Sequence, residues 1–162
     1  MYSVIKKTIE EKLLIVTEER KEILQSLIDY IQLKIDNNEA VNLNFICTHN
    51  SRRSHLSQVW AQTFAYYYKL NNINCYSGGT EVTAIFPKVV VTLQQQGFLI
   101  QKLSDESNPV YAIKYSENKH PIICFSKTFD DEFNPRLNFA AIMTCASADE
   151  GCPFIAGAEK RI

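Results

Sequence analysis

The sequence predicts an α/β domain: a doubly wound, mainly parallel sheet in three αβα layers, behind an N-terminal helical extension. Three observations carry this. Short apolar runs alternate with amphipathic helical patterns from residue 41 onward, as βαβ units do. A polar, basic turn joins the first such run to the helix that follows it. The chain has 162 residues, 46% apolar and 22% charged, enough to bury one core.

Residues 17–35 read as an amphipathic helix. Leu24, Leu27, Ile28, Ile31 and Ile35 recur at helical spacing, Glu18 and Glu19 sit in the first turn, and Asp36-Asn37-Asn38 ends it. It precedes everything that looks chemical. Residues 1–40 are therefore expected to be an extension packed on the domain or on a partner, and residues 41–162 the domain itself. Residues 41–47 form a short strand around Leu43, Phe45 and Ile46. After the turn, residues 54–68 form a helix whose stripe is Leu56, Val59, Trp60, Thr63, Phe64 and Tyr67. A strand over residues 73–77 leads into the tight turn Gly78-Gly79-Thr80. Residues 86–96 form a third helix, with Pro87 in its first turn and Gly97 at C′. Residues 110–115 and 122–125 predict a hairpin or two consecutive strands, and residues 139–145 another strand. Residues 146–162 read as loop, with no closing helix.

Seventeen basic against eighteen acidic residues leave a net charge of −1. That excludes nucleic-acid binding driven by bulk positive charge. No apolar run reaches the roughly 18 residues a membrane span needs, and the opening residues lack a secretory pattern. A cytoplasmic protein with reduced thiols is expected. The five cysteines are odd in number and cannot all pair within one chain.

The strongest feature is Cys47-Thr48-His49-Asn50-Ser51-Arg52-Arg53-Ser54, between a strand and a helix. Five residues separate Cys47 from Arg53. A turn of that length can curl until successive N–H groups form an anion nest, and the helix N-terminus adds partial positive charge. Arg53 can hold two oxygens of a tetrahedral oxyanion. The same field favours a thiolate, which makes Cys47 the expected nucleophile. Ser54 can donate to its sulfur, and Asn50 tolerates the left-handed conformation the curl needs. Positive charge in a first helical turn is unfavourable unless it meets an anion, so Arg52 and Arg53 add weight to an oxyanion site over a buried structural cysteine.

This segment resembles the Cys-x5-Arg-Ser/Thr loop of the low-molecular-weight protein tyrosine phosphatase superfamily, shared by its thioredoxin-coupled arsenate reductases. Ser77-Gly78-Gly79-Thr80 is similar to the family's Ser-Ala-Gly-Thr. The resemblance spans residues 41–162 and implies the family's small doubly wound fold. His49 stands where the family usually has Gly, and Arg52 where it often has a second Cys. His49 is expected to be a solvated loop residue.

Cys145 ends a predicted strand, and Cys152 follows after six residues, four of them Ala146, Ser147, Ala148 and Gly151. Parallel strands end on one rim, so Cys145 is expected near Cys47. A redox relay or a pair of small core residues would fit. The spacing is not that of a zinc site, and no metal or cofactor is expected. The resemblance implies the relay: Cys47 attacks arsenate, Cys145 attacks Cys47, Cys152 attacks Cys145, and a thioredoxin-like reductant restores the thiols. Cys75 and Cys124 read as core residues.

The family's acid, an Asp-Pro on a later loop, has no counterpart. Asp149 is the nearest candidate, while Asp130 and Asp131 read as a solvated turn. The chain stops at Ile162, so either it is truncated or another acid serves. The apolar face that a closing helix would hide is then expected to be free to pair with another chain, a homodimer included. Three functions fit: arsenate reductase, tyrosine phosphatase acting on phosphate esters, and a weakly catalytic oxyanion-binding or redox-regulatory domain.

Overall fold

The computed structural model describes residues 1–12, 16–151 and 154–162. The chain opens with α1 (Ser3–Lys12) and α2 (Glu18–Asp36), of which apolar spacing predicts only the second. The central strand β1 (Val41–Cys47) lies in a parallel four-stranded sheet of order β2-β1-β6-β7. Its partners are β2 (Ile73–Gly79), β6 (Phe139–Met143) and β7 (Ala158–Arg161). Six of the seven residues of β1 are buried, because both faces of the sheet are covered there. Cys47 pairs with Gly79 and Ile46 with Met143, so the three strands end on one rim.

α3 (Arg53–Tyr67) turns Ala61 and Ala65 to the sheet. Its other side carries Val59, Leu56, Trp60 and Phe64 into a second cluster. That cluster is built by α1, α4 (Pro87–Gln95) and an antiparallel meander of β3 (Leu99–Lys102), β4 (Tyr111–Lys114) and β5 (Ile122–Cys124). The hairpin reading of β4 and β5 holds, while β3 carries too short a pattern to announce itself. Ile5 and Ile9 of α1 are buried in this cluster, each contributing about 1.5–3 kcal/mol. Gly97 follows α4 at φ +97°, and a Cβ there would lie 2.7 Å from that of Val4.

Two expectations are corrected here. Residues 146–162 are not simply loop: they contain α5 (Ala146–Gly151) and β7, the fourth parallel strand. β7 is an edge strand of charged residues, Glu159, Lys160 and Arg161, so it shows no apolar alternation. The apolar face left for a closing helix is not free for a second copy of the chain, because α2 covers it. Leu27, Tyr30, Ile31 and Ile35 pack with Val41, Leu43, Phe45, Ala140, Ile142 and Ile162. The buried stripe of α2 includes Tyr30 and Lys34, while Ile28 is 46% exposed. Tyr30 donates to Glu159 at 2.8 Å, and Lys34 donates to Glu39 at 2.6 Å and to Glu159 at 2.9 Å, tying α2 to β7.

The other edge of the sheet is capped by side chains. Gln62 bonds the Cys75 N–H and the Ile73 carbonyl, Gln58 the Cys75 carbonyl, and Asn134 the Ser77 carbonyl. The end of β2 pairs with Lys127 and Phe129 through Gly79. Among the described residues, no helix is long and apolar enough to cross a membrane.

Candidate active site

The loop from Cys47 is shaped by where its carbonyls are held. Across a trans peptide, a carbonyl and the next N–H point in opposite directions. A carbonyl pinned outward therefore aims the following N–H inward. The Cys47 carbonyl accepts from the Thr80 N–H (3.2 Å), that of Thr48 from the Glu81 N–H (2.9 Å), and that of Ser51 from the Phe86 N–H (3.0 Å). The His49 carbonyl accepts from the hydroxyls of Thr83 (2.9 Å) and Ser126 (3.0 Å), and the Asn50 carbonyl from His55 Nε2 (2.8 Å). The Arg52 carbonyl takes the Leu56 N–H, in the first turn of α3. Among the described residues, the N–H groups of residues 49–53 have no hydrogen-bond partner. This is an anion nest at the start of a helix.

Asn50 makes the curl, at φ 41°. Its Nδ2 donates to Ser54 Oγ at 2.9 Å, and its Oδ1 accepts the Lys127 N–H at 2.9 Å. Because Ser54 Oγ accepts from Asn50, its own proton is available to Cys47 Sγ, 3.1 Å away. Both residues are buried. Gly79 lets the loop approach: a Cβ there would lie 2.7 Å from the Asn50 nitrogen and the Thr48 oxygen. A Cβ on Gly78 would collide with the Phe129 backbone.

The loop opens into a cleft of about 740 Å³ lined by Cys47, Thr48, His49, Ser51, Arg52, Arg53, Thr83 and Ser147. Neither Arg52 nor Arg53 forms an ion pair among the described residues. The Arg52 guanidinium lies over the Phe86 ring, 4.1 Å from its centroid. His49 is an exposed loop residue, as its setting predicts, with Nδ1 3.0 Å from Glu81.

The rim brings Cys145 to the loop. Its sulfur lies 3.6 Å from the Thr48 hydroxyl, and Thr144 is bonded through its N–H to the Ile46 carbonyl at 2.7 Å. Burial acts to raise the Cys145 thiol. The Thr48 hydroxyl, the Ala148 and Thr48 amides and the Arg53 charge outweigh it, so the net direction is downward. Cys145 and Arg53 also line a groove of about 590 Å³, walled by Leu24 and Leu27 of α2 and by Phe45 and Ile142. Cys152 lies outside the described residues. Cys75 and Cys124 are buried in the two cores, and burial pushes both thiols up, Cys124 to about 12.

Asp149 is not placed as an acid over the loop. It lines the neighbouring groove, and its carboxylate is paired with Arg161 of β7. Asp131 accepts the Phe133 N–H within an exposed turn, as the acidic run there predicts.

Several residues of the site escape sequence reasoning. His55 and Lys127 are both about 1% exposed. His55 offers one signal, a histidine directly after Ser54 in the first turn of α3. Lys127 lies on the rings of Phe125 and Phe133, 4.4 and 5.3 Å from their centroids, and burial pushes its ammonium down to about 8. A scan against protein-family models found no matching family, and a search of curated proteins found no match.

Proposed function

We propose that the chain is a thiol-dependent oxyanion enzyme built on the low-molecular-weight phosphatase fold, and that its reaction is the reduction of arsenate. One observation carries the reading: an anion nest closes around Cys47, and a second thiol, Cys145, lies 3.6 Å from the hydroxyl of Thr48, the next residue of the loop. The Cys47 thiolate attacks the arsenic of dihydrogen arsenate, and one hydroxyl, protonated by the other, leaves as water. Arg53 and the loop amides hold the remaining oxygens. The Cys145 thiolate then attacks the Cys47 sulfur. The sulfur–arsenic bond breaks, and its electron pair stays on arsenic as arsenite departs. The resemblance assigns the next step to Cys152, which attacks Cys145 and releases Cys47 as thiolate. An external dithiol of the thioredoxin kind reduces the resulting disulfide.

The groove beside Arg53 favours a second reading, phosphotyrosine-type ester hydrolysis, because Leu24, Leu27, Phe45 and Ile142 could hold an apolar ester group. Among the described residues, no carboxylate lines the loop cleft to protonate a leaving oxygen. An ester's leaving oxygen carries no proton of its own, unlike that of dihydrogen arsenate, and that weighs against the ester. Arsenate-dependent oxidation of a thioredoxin-like dithiol and hydrolysis of an aryl phosphate, measured on one preparation, separate the two. Ester turnover without dithiol oxidation, unchanged in Cys145→Ser, would overturn the reductase reading.

A further inference from the structure

We propose that His55 is the positioning residue of the oxyanion loop: it carries its proton on Nε2, draws the Asn50 carbonyl outward and so aims the Ser51 N–H at the bound oxyanion. The inference rests on reading this loop as an oxyanion site.

A carbonyl oxygen only accepts, and His55 Nε2 lies 2.8 Å from that of Asn50. A lone pair on Nε2 would face a lone pair on oxygen, so the proton belongs there. The other nitrogen, Nδ1, lies 3.2 Å from Ser77 Oγ. The Ser77 hydroxyl has a single proton and a competing acceptor, Gln58 Oε1, at 2.7 Å. Cys124 Sγ also reaches Gln58 Oε1, at 3.6 Å. Ser77 donates to Gln58 in the structure, and with Cys124 on the same oxygen its proton can turn to Nδ1 without leaving that oxygen bare.

The imidazole is neutral in this setting. Burial pushes it down to about 3, and the ammonium of Lys127 acts in the same direction. A neutral ring has one N–H, and the geometry assigns it to the loop.

Asn50 gives the contact its functional meaning. A left-handed residue other than glycine persists where its surroundings hold it. Ser54 and Lys127 hold the Asn50 side chain, but among the described residues only His55 holds its carbonyl. Among the described residues, the Asn50–Ser51 peptide is thus the one plane of the nest fixed by an aromatic side chain. The other loop carbonyls accept from backbone N–H groups or hydroxyls.

The test is inorganic phosphate binding by the full chain, followed by calorimetry and by amide NMR. His55→Phe should bind phosphate about 10- to 100-fold more weakly, as expected for one misdirected charge-assisted hydrogen bond. The Ser51 amide should lose its phosphate-induced shift. His55→Gln, whose amide can also donate to Asn50, should restore affinity to within about threefold. Equal affinity of folded His55→Phe and wild type would overturn the proposal and leave the oxyanion reading standing. No phosphate binding by wild type would overturn both. Should the variants fail to fold, the ring tautomer of the wild-type protein decides: a proton on Nδ1 overturns the proposal, and a slowly exchanging proton on Nε2 supports it.

Discussion

The loop from Cys47 and the segment from Cys145 meet on one rim, but different forces hold them. Every carbonyl from Cys47 to Arg52 accepts a hydrogen bond from an uncharged group: a backbone N–H, a hydroxyl or an imidazole. The Cys145 segment shares such bonds, from the Thr144 N–H and hydroxyl to the Ile46 carbonyl, but leans also on charge. Asp149 pairs with Arg161 of β7, and β7 is tied to α2 by Glu159 with Lys34 and Tyr30. Neutral bonds in a packed loop fix a geometry and are barely screened. Partly exposed ion pairs respond to salt and pH. The nest is thus built for constancy, and the neighbouring thiol sits on a support that solution conditions can loosen.

The largest effect should separate the two thiols by role. Cys47→Ser should lower arsenate turnover by at least about 1000-fold, since a hydroxyl is a far poorer nucleophile at neutral pH. Phosphate binding should remain. Cys145→Ser should also stop multiple turnovers while leaving Cys47 able to form its adduct, seen as a mass increase after arsenate addition. If Cys145→Ser turns over at the wild-type rate, the two regions are not partners in one reaction.

Next in size is a test of the loop's rigidity. Gly79→Ala would place a Cβ against the backbone of Asn50, Thr48 and Glu81, none of which can rotate away. Such overpacking costs about 1–3 kcal/mol, to be read by urea denaturation, and phosphate affinity should fall with it. A stable variant with unchanged affinity would show that the nest tolerates displacement.

The contrast also explains what could be read from sequence. The nest is local: Cys47, Asn50, Arg53 and Ser54 lie within one turn, so spacing alone suggests their roles. The strands beside it have the apolar runs of a sheet buried on both faces. By contrast, β7 has charges where a pattern would be, and α1 buries only two isoleucines on a short, mostly polar helix. The cover supplied by α2 depends on contacts between residues 27–35 and strands as far along the chain as β6. Nothing local encodes that. His55, Ser77 and Gln58 matter only because α3 and β2 pack together, so their network is visible only in three dimensions.

The smallest effect should come from pH, and it should fall on one side of the rim. The hydrogen bond from Lys34, with that from Tyr30, holds the Glu159 carboxyl below its ordinary value despite burial. Its contribution is complete above the ordinary carboxylate value, about 4.3, and is lost as pH falls through the lowered folded value. Lys34 is raised by Glu39 and Glu159, so its share is lost only as pH rises above the usual lysine range. Between these limits the α2–β7 contact is intact. Below about pH 4, hydrogen exchange of β7 amides should quicken, while amides anchored on the loop carbonyls, such as Glu81 and Phe86, hold. His55 stays neutral until about 3 and keeps its bond to Asn50 through that window. Glu159→Gln should bring the β7 change to neutral pH. If loop and β7 amides quicken together in acid, the two regions share one support, and the division between neutral and charged anchoring is wrong.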